Sequence, residues 1–193
     1  LALRERFTEP LSHLRHAPAE PLARMLYEWF ESLRVEALVP AEWPGVQRNL
    51  DTRFHDWSGR FHDSPLIDTH LGLLLFTVSQ IVRARLHRSA PDERFEDTME
   101  STRAGLSPQL GHSLRAMGLH VNAPALFAPA ARDMALRVAS LVSDAQTQAK
   151  AFPSARRAMA SAFFLAFEPE PQEPPALPVA QRHARDELAD AQA

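Results

Sequence analysis

Apolar residues recur along this chain at the three- and four-residue spacing of a helix face, with prolines at the breaks. The first series starts at Pro21, which suits a first helical turn. Its apolar members are Leu22, Met25, Leu26, Trp29, Phe30, Leu33 and Ala37. Pro40 and Pro44 end this helix, because proline disfavours helical geometry in the preceding residue. After Gly45 a second series begins, with Val46, Leu50, Phe54, Trp57 and Phe61.

The most apolar part of the chain predicts a central helix over about 65–88. Ser64 is the expected N-cap and Pro65 the expected first-turn residue. The middle of this segment is apolar nearly all round the helix. A helix that lacks a polar face is expected to be surrounded by its neighbours.

The second half of the chain predicts further helices. Pro91 opens an amphipathic segment, Ser107 and Pro108 repeat the cap-then-proline signal of a short helix, and a loop is expected at 122–124. A long apolar segment starts at Leu126, and Pro153 opens a last one. No run alternates apolar and polar residues, so no strand is predicted. The expected fold is an all-α, compact multi-helix domain around the central helix.

The domain organisation is predicted in three parts. Residues 1–18 are polar and irregular and are expected to form a flexible tail, and 19–167 to form the helical domain. Residues 168–193 begin with "EPEPQEPPALP", which favours extended polyproline II, and are expected to be a Pro/Glu-rich linker and disordered tail. A linker in this place, with Leu1 instead of Met at the start, predicts a fragment of a longer protein. A complete protein with a frayed tail is the alternative.

Composition excludes several classes of function. The chain has 193 residues, a formal net charge of −3 and a pI near 6.3, which favour neither nucleic acid nor an anionic membrane as a partner. There is no cysteine, so disulfides, thiolate metal sites and cysteine nucleophiles are excluded. The most apolar stretch, 71–86, falls short of the roughly 20 apolar residues of a membrane span. A soluble, cytoplasmic protein is expected.

No catalytic motif is present. The phosphate-binding loop GxxxxGK[ST], GxGxxG, GxSxG and HExxH are all absent from the sequence. His55 and His62 each precede an aspartate, but seven helical residues separate them by about 10 Å, too far to share a metal ion without a third element. A stand-alone helical enzyme that uses these histidines requires them to converge in a pocket. We therefore predict no catalytic residue, cofactor-binding residue or metal ligand.

Residues 26–86 resemble the N-terminal region of the CobT-type subunit of aerobic cobaltochelatase, especially that of its actinobacterial relatives. In that family a helix that ends in an Arg-x-Glu-Ala segment is followed by a glycine-containing turn and an Asn-Leu pair. The matching residues here are Arg34, Glu36, Ala37, Gly45, Asn49 and Leu50. The segments "GLLLFTVSQIVRARL" and "ESTRAGLSPQLGHSL" are also similar, so the resemblance covers roughly 20–145.

The resemblance implies a role in assembly and no catalysis by this chain alone. CobT-type proteins carry a C-terminal von Willebrand A-type domain with a DxSxS metal-adhesion motif, which is absent here. A separate AAA+ ATPase subunit hydrolyses ATP, and a large corrin-binding subunit holds the ring during cobalt insertion. The resemblance thus implies a hetero-oligomer in which ATP, magnesium and cobalt belong to the complex, with no cofactor in this chain. The alternative is an adaptor of a MoxR-type AAA+/von Willebrand A system that remodels or metal-loads another protein.

Five residues at the corner between the first two helices are the candidate site: Arg34, Glu36, Gly45, Asn49 and Asp51. Gly45 tolerates positive φ in a tight turn. Arg34 and Glu36 are expected to bond across the corner to Asn49 and Asp51, with the guanidinium of Arg34 on Asp51 or on helix-end carbonyls. They form either an inter-helix brace or, in addition, a partner-binding face.

Overall fold

A computed structural model describes residues 2–148, all within one compact unit that spans Leu1–Ala155. These residues form seven α-helices and one 3-10 helix, and they contain no strand, which confirms the all-α prediction. The helices are α1 (Ala2–Phe7), α2 (Pro10–His16), α3 (Pro21–Ala37), α4 (Pro44–His62), α5 (His70–His87), α6 (Glu96–Leu119) and α7 (Pro124–Gln148), with the 3-10 helix at Glu93–Phe95.

Helices α3 and α5 run parallel to each other. The indole of Trp29 donates to the hydroxyl of Ser79 at 3.2 Å near the middle of both helices, and Glu36 meets Arg83 near both C-termini. Helix α4 returns in the opposite direction, because its first half meets the same part of α5 through an Asp51–Arg83 ion pair. The ends of α3 and α5 and the start of α4 therefore lie at the same end of the bundle.

Helix α6 is also parallel to α5, because residues 88–95 return the chain toward the start of α5 before α6 begins. Phe95 packs edge-on to Phe76 at 5.3 Å, and α6 then runs forward until Gly118 lies against the side chain of Arg85. Helix α7 follows a short loop and packs antiparallel to α6, where Ser113 bonds Asp133. Helices α3, α5 and α6 thus end where α4 and α7 begin.

Helix α5 is the central helix, as predicted: it contacts α3, α4, α6 and α7, and most of its residues are buried. Its start differs from the prediction. Thr69, and not Ser64, caps it, since the Thr69 hydroxyl accepts from the N–H of Gly72 at 3.0 Å. A Cβ at Gly72 would lie 1.9 Å from the carbonyl oxygen of Leu66. The 63–69 turns therefore cross the first turn of the helix so closely that only glycine fits.

Two prolines lie inside helices, and at one of them, Pro108, the sequence predicts a helix start. Pro108 lies within α6, which is one helix instead of two, and Pro129 lies within α7. Proline leaves the carbonyl four residues earlier without its helical donor. Both prolines are exposed, as are Ala104 and Ala125, so water can satisfy these carbonyls.

The N-terminal residues are helical where a flexible tail is predicted. Arg4 and His13 both bond the carboxylate of Glu28 on α3, at 2.5 and 2.9 Å. Thr8 donates to Glu31 at 2.6 Å, and Tyr27 donates to the carbonyl of His13 at 3.0 Å. Helix α2 buries no residue. Polar contacts with α3 hold α1 and α2, and α2 also packs on α7 without burying a residue, which is why hydrophobic periodicity does not reveal them.

The predicted apolar segment from Pro153, the boundary at 167 and the linker at 168–193 lie outside the described residues. Among the helices that the structure does describe, none has the length and hydropathy of a membrane span.

Candidate functional site

The corner between α3 and α4 is built as a short capped connection. Pro44, which the sequence predicts only to end the preceding helix, occupies the first turn of α4, where its missing N–H costs no hydrogen bond. The N–H of Trp43 donates to the carbonyl of Pro40 at 3.0 Å, and the side-chain amide of Gln47 donates to the carbonyl of Val39 at 3.2 Å. These bonds satisfy backbone groups that the ends of helices leave free.

Four charged residues connect α3, α4 and α5 beside this corner, and we call them the charge network: Glu36, Asp51, Arg53 and Arg83. Arg53 donates to Oε1 of Glu36 at 2.6 Å, and Nη1 of Arg83 lies 3.6 Å from Oε2 of Glu36. The other terminal nitrogen of Arg83 bonds Asp51. The guanidinium of Arg83 also lies over the ring of Phe54, at 4.4 Å from its centroid. Arg83 therefore joins all three helices.

Burial disfavours the charged forms of Glu36 and Arg83 in the charge network. Burial raises the pKa of Glu36, although the neighbouring Arg53 and Arg83 act to lower it. Burial likewise lowers the pKa of Arg83, against the opposing effect of Glu36 and Asp51. Asp51 is different, because its side chain is 64% exposed. The buried charges of Glu36 and Arg83, in contrast, are tolerated only while their partners are present.

Arg34 does not take part in this network, contrary to the predicted bond with Asp51. Its side chain is fully buried and makes a two-pronged contact with Glu31, at 2.8 and 2.6 Å. It also donates to the carbonyls of Val121, at 3.1 Å, and Phe7, at 2.8 Å. Arg34 therefore ties α3 to the end of α1 and to the α6–α7 loop. Its bond to Phe7, the last residue of α1, matches the alternative prediction of a helix-end carbonyl.

The remaining two candidate residues are not part of the brace. Gly45 lies in the first turn of α4 without positive φ, and a Cβ there would meet nothing within 4 Å. The positive-φ role predicted for Gly45 is therefore wrong. Asn49 is exposed on α4 and lies outside the charge network. Of the five candidates, only Glu36 and Asp51 are brought together, through Arg83.

Sequence reasoning missed Arg53 and Arg83 as members of the site. A signal for Arg83 was present, because an arginine inside the most apolar helix needs an acidic partner from another element. The partner's identity depends on how α4 packs on α5, which the sequence does not give.

Two clefts flank the charge network. One, of about 350 Å³, lies between the ends of α3 and α5, the first half of α4 and the α6–α7 loop. The other, of about 290 Å³, lies between α4 and the segment that follows α5. Asp51 lines both clefts, so the Arg83–Asp51 pair separates them.

His87 lies in the wall of the larger cleft and is held neutral. Burial and the neighbouring Arg83 lower its pKa from 6.5 to about 4, against smaller opposing effects of Asp51 and the carbonyl of Leu33. Its Nε2 is buried without a hydrogen-bond partner among the described residues. A histidine in this state accepts a proton only at the expense of the folded structure.

We expect His87 to make stability fall as pH is lowered. Its pKa of about 4 in the folded state lies below 6.5, so the unfolded chain binds the extra proton between these values and stability decreases from pH 6.5 to 4. The loss should be about 2 to 3 kcal/mol. In urea unfolding, the difference in the free energy of unfolding between pH 7 and pH 4.5 should be smaller in His87→Gln than in wild type by this amount. The exposed His70, changed to Gln, is the control, and an unchanged pH effect in His87→Gln would contradict the prediction.

The two histidines considered for metal binding do not converge. His55 lies 3.4 Å from Asp92, and His62 lies 3.1 Å from the hydroxyl of Thr98. Within the described part of the chain, no group of three or more His, Cys, Asp or Glu residues is placed to hold a metal ion. His55 and His62 therefore do not meet the condition set for a stand-alone helical enzyme that uses them.

The described residues therefore define an all-α domain in which the buried charges connect helices. A family model described as cobalamin biosynthesis protein CobT matches residues 1–163, and the chain belongs to this family. The predicted resemblance to a CobT-type cobaltochelatase subunit is thus confirmed, and the chain takes part in cobalamin biosynthesis as a component of the chelatase. No curated protein and no solved structure matches the chain.

Proposed function

We propose that this chain is a non-catalytic assembly domain that couples an AAA+ ATPase subunit to cobalt insertion into the corrin ring. Membership of the CobT family is the observation that carries the proposal. The structure supports it in one respect: Glu36, Arg83 and Arg34 are used to join helices to one another. A domain braced in this way can transmit force between partners without deforming.

In this proposal the reactive groups belong to the partners. ATP and magnesium are held by the AAA+ ATPase subunit, and cobalt and the corrin are substrates that meet on the large corrin-binding subunit. The chain contributes a rigid block that binds both proteins in a hetero-oligomer.

Reconstitution tests this role directly. The chain, the AAA+ ATPase subunit and the corrin-binding subunit are mixed with corrin substrate, Co²⁺ and MgATP, and cobalt insertion is followed by the change in corrin absorbance. We expect insertion to require all three proteins and the chain to co-elute with the ATPase subunit in size-exclusion chromatography. Insertion by the chain without the other subunits, or no binding to either subunit, would contradict the proposal.

A further inference from the structure

Three arginines near the C-terminal ends of α5 and α6 are not neutralised by any acid of the residues that the structure describes. Arg85, Arg88 and Arg115 are exposed, and none forms an ion pair with another described residue. We call them the arginine patch. In contrast, the buried arginines of this fold, Arg34 and Arg83, are both paired.

The packing of α5 on α6 places one of these arginines on the surface of α6. A Cβ at Gly118 would lie 2.7 Å from Cδ of Arg85, so the aliphatic part of Arg85 lies directly on α6 where there is no side chain. Residues three apart on a helix are neighbours. Arg115 therefore lies one turn before this contact on α6, and Arg88, the residue that follows α5, lies beyond it.

Two of the most exposed leucines of the described structure lie at the same end of the bundle. Leu119 is the last residue of α6 and is 73% exposed, and Leu126 lies in the first turn of α7 and is 54% exposed. They stand on either side of the α6–α7 loop. Exposed apolar side chains beside unpaired arginines are typical of a protein-binding surface, where arginine is enriched.

We propose that the arginine patch, with Leu119 and Leu126, binds an acidic segment of a partner protein that carries apolar side chains between its carboxylates. This inference rests on the proposed function, because the partner is a subunit of the chelatase assembly. Charge complementarity selects the acidic partner. The leucines favour a polypeptide over a nucleic acid, and the net charge of −3 opposes a polyanion with many phosphates.

A purely structural explanation makes a different prediction. Arg85 in the last turn of α5 and Arg88 at its C-cap can interact favourably with the negative end of that helix, whereas Arg115 lies before the last turn of α6. If that were their only role, neutralising them would lower the melting temperature slightly and leave partner binding unchanged. Thermal unfolding and binding affinity therefore separate the two explanations.

The test compares two variants of the full chain. The patch variant carries Arg85→Gln, Arg88→Asn and Arg115→Gln, where Asn suits the left-handed backbone of Arg88 (φ 54°). We expect it to bind one of the two partner subunits at least tenfold more weakly than wild type in isothermal titration calorimetry. We also expect its affinity to depend less on salt, because fewer charge pairs are screened.

The control variant removes the same number of charges elsewhere: Arg24, Arg48 and Arg60, each changed to Gln, are also exposed and form no ion pair with a described residue. We expect it to bind within twofold of wild type. A second pair tests the apolar part: Leu119→Ser with Leu126→Ser should weaken binding, whereas Leu11→Ser with Leu14→Ser, on the exposed α2, should not.

Three outcomes would overturn this inference, and one of them would also overturn the proposed function. Equal binding by the patch and control variants overturns this inference and leaves the proposed function standing. Failure of wild type to bind either subunit overturns the proposed function, and this inference with it. Binding of a 20-nucleotide oligonucleotide to wild type and not to the patch variant also overturns it, because the patch is then a nucleic-acid site.

Discussion

Replacing Arg34 with Met should lower the free energy of unfolding by about 3 to 5 kcal/mol, because it leaves a buried carboxylate without its partner. Glu31 is only 5% exposed at its side chain and would keep a single donor, the hydroxyl of Thr8. The carbonyls of Val121 and Phe7 would lose their donors as well. Urea unfolding monitored by circular dichroism measures this loss.

Two further variants separate charge from packing at this position. Arg24→Met changes an exposed arginine of the same helix and should alter stability by less than about 0.5 kcal/mol. Combining Arg34→Met with Glu31→Leu removes both buried charges, and it should recover part of the loss because a well-packed apolar pair can replace a buried ion pair. A loss below about 1 kcal/mol in Arg34→Met alone would show that the pair is not a major support of the fold.

The second large effect is expected at Arg83. Arg83→Met should cost about 2 to 4 kcal/mol, since Glu36 would then be held in a buried site by Arg53 alone. The contact with the ring of Phe54 would keep only its apolar part. Thermal and urea unfolding at pH 7 both measure this loss.

Matched changes at the other candidate residues should have small effects. Asp51→Asn should cost less than about 1 kcal/mol, because Asp51 is largely exposed. Gly45→Ala should be neutral or stabilise by up to about 1 kcal/mol, since no positive φ and no neighbour opposes a Cβ there. If Gly45→Ala destabilised the protein more than Arg83→Met, the corner and not the charge network would be the brace.

Much of the fold could be predicted from the sequence because burial leaves a regular signal. The apolar faces of α3 and α4 and the central position of α5 follow from helical periodicity. Helices α1 and α2 could not be found in this way, because polar contacts with α3 hold them and α2 packs on α7 without a buried residue. Pro108 was misleading, because an exposed helix face tolerates a proline that a buried one would not.

The candidate site was predicted less well because it depends on tertiary packing. The sequence places Arg34 and Asp51 near one corner, yet Arg34 bonds the α6–α7 loop and not Asp51. Glu36 and Asp51 do meet, but through an arginine 32 residues beyond Asp51. Spacing along the chain identifies charged residues, and only the packed helices decide which of them form pairs.

The contacts of Arg34 also bear on how the chain folds. Its bond to Glu31 spans one helical turn, whereas its bond to Val121 joins positions 87 residues apart. A contact between residues so distant in sequence requires a large loop to close, and such contacts slow folding. During synthesis α3 can form early, but Arg34 gains its last acceptor only after the α6–α7 loop has been made. We therefore expect the N-terminal half of the domain to remain incompletely ordered on the ribosome until that loop emerges.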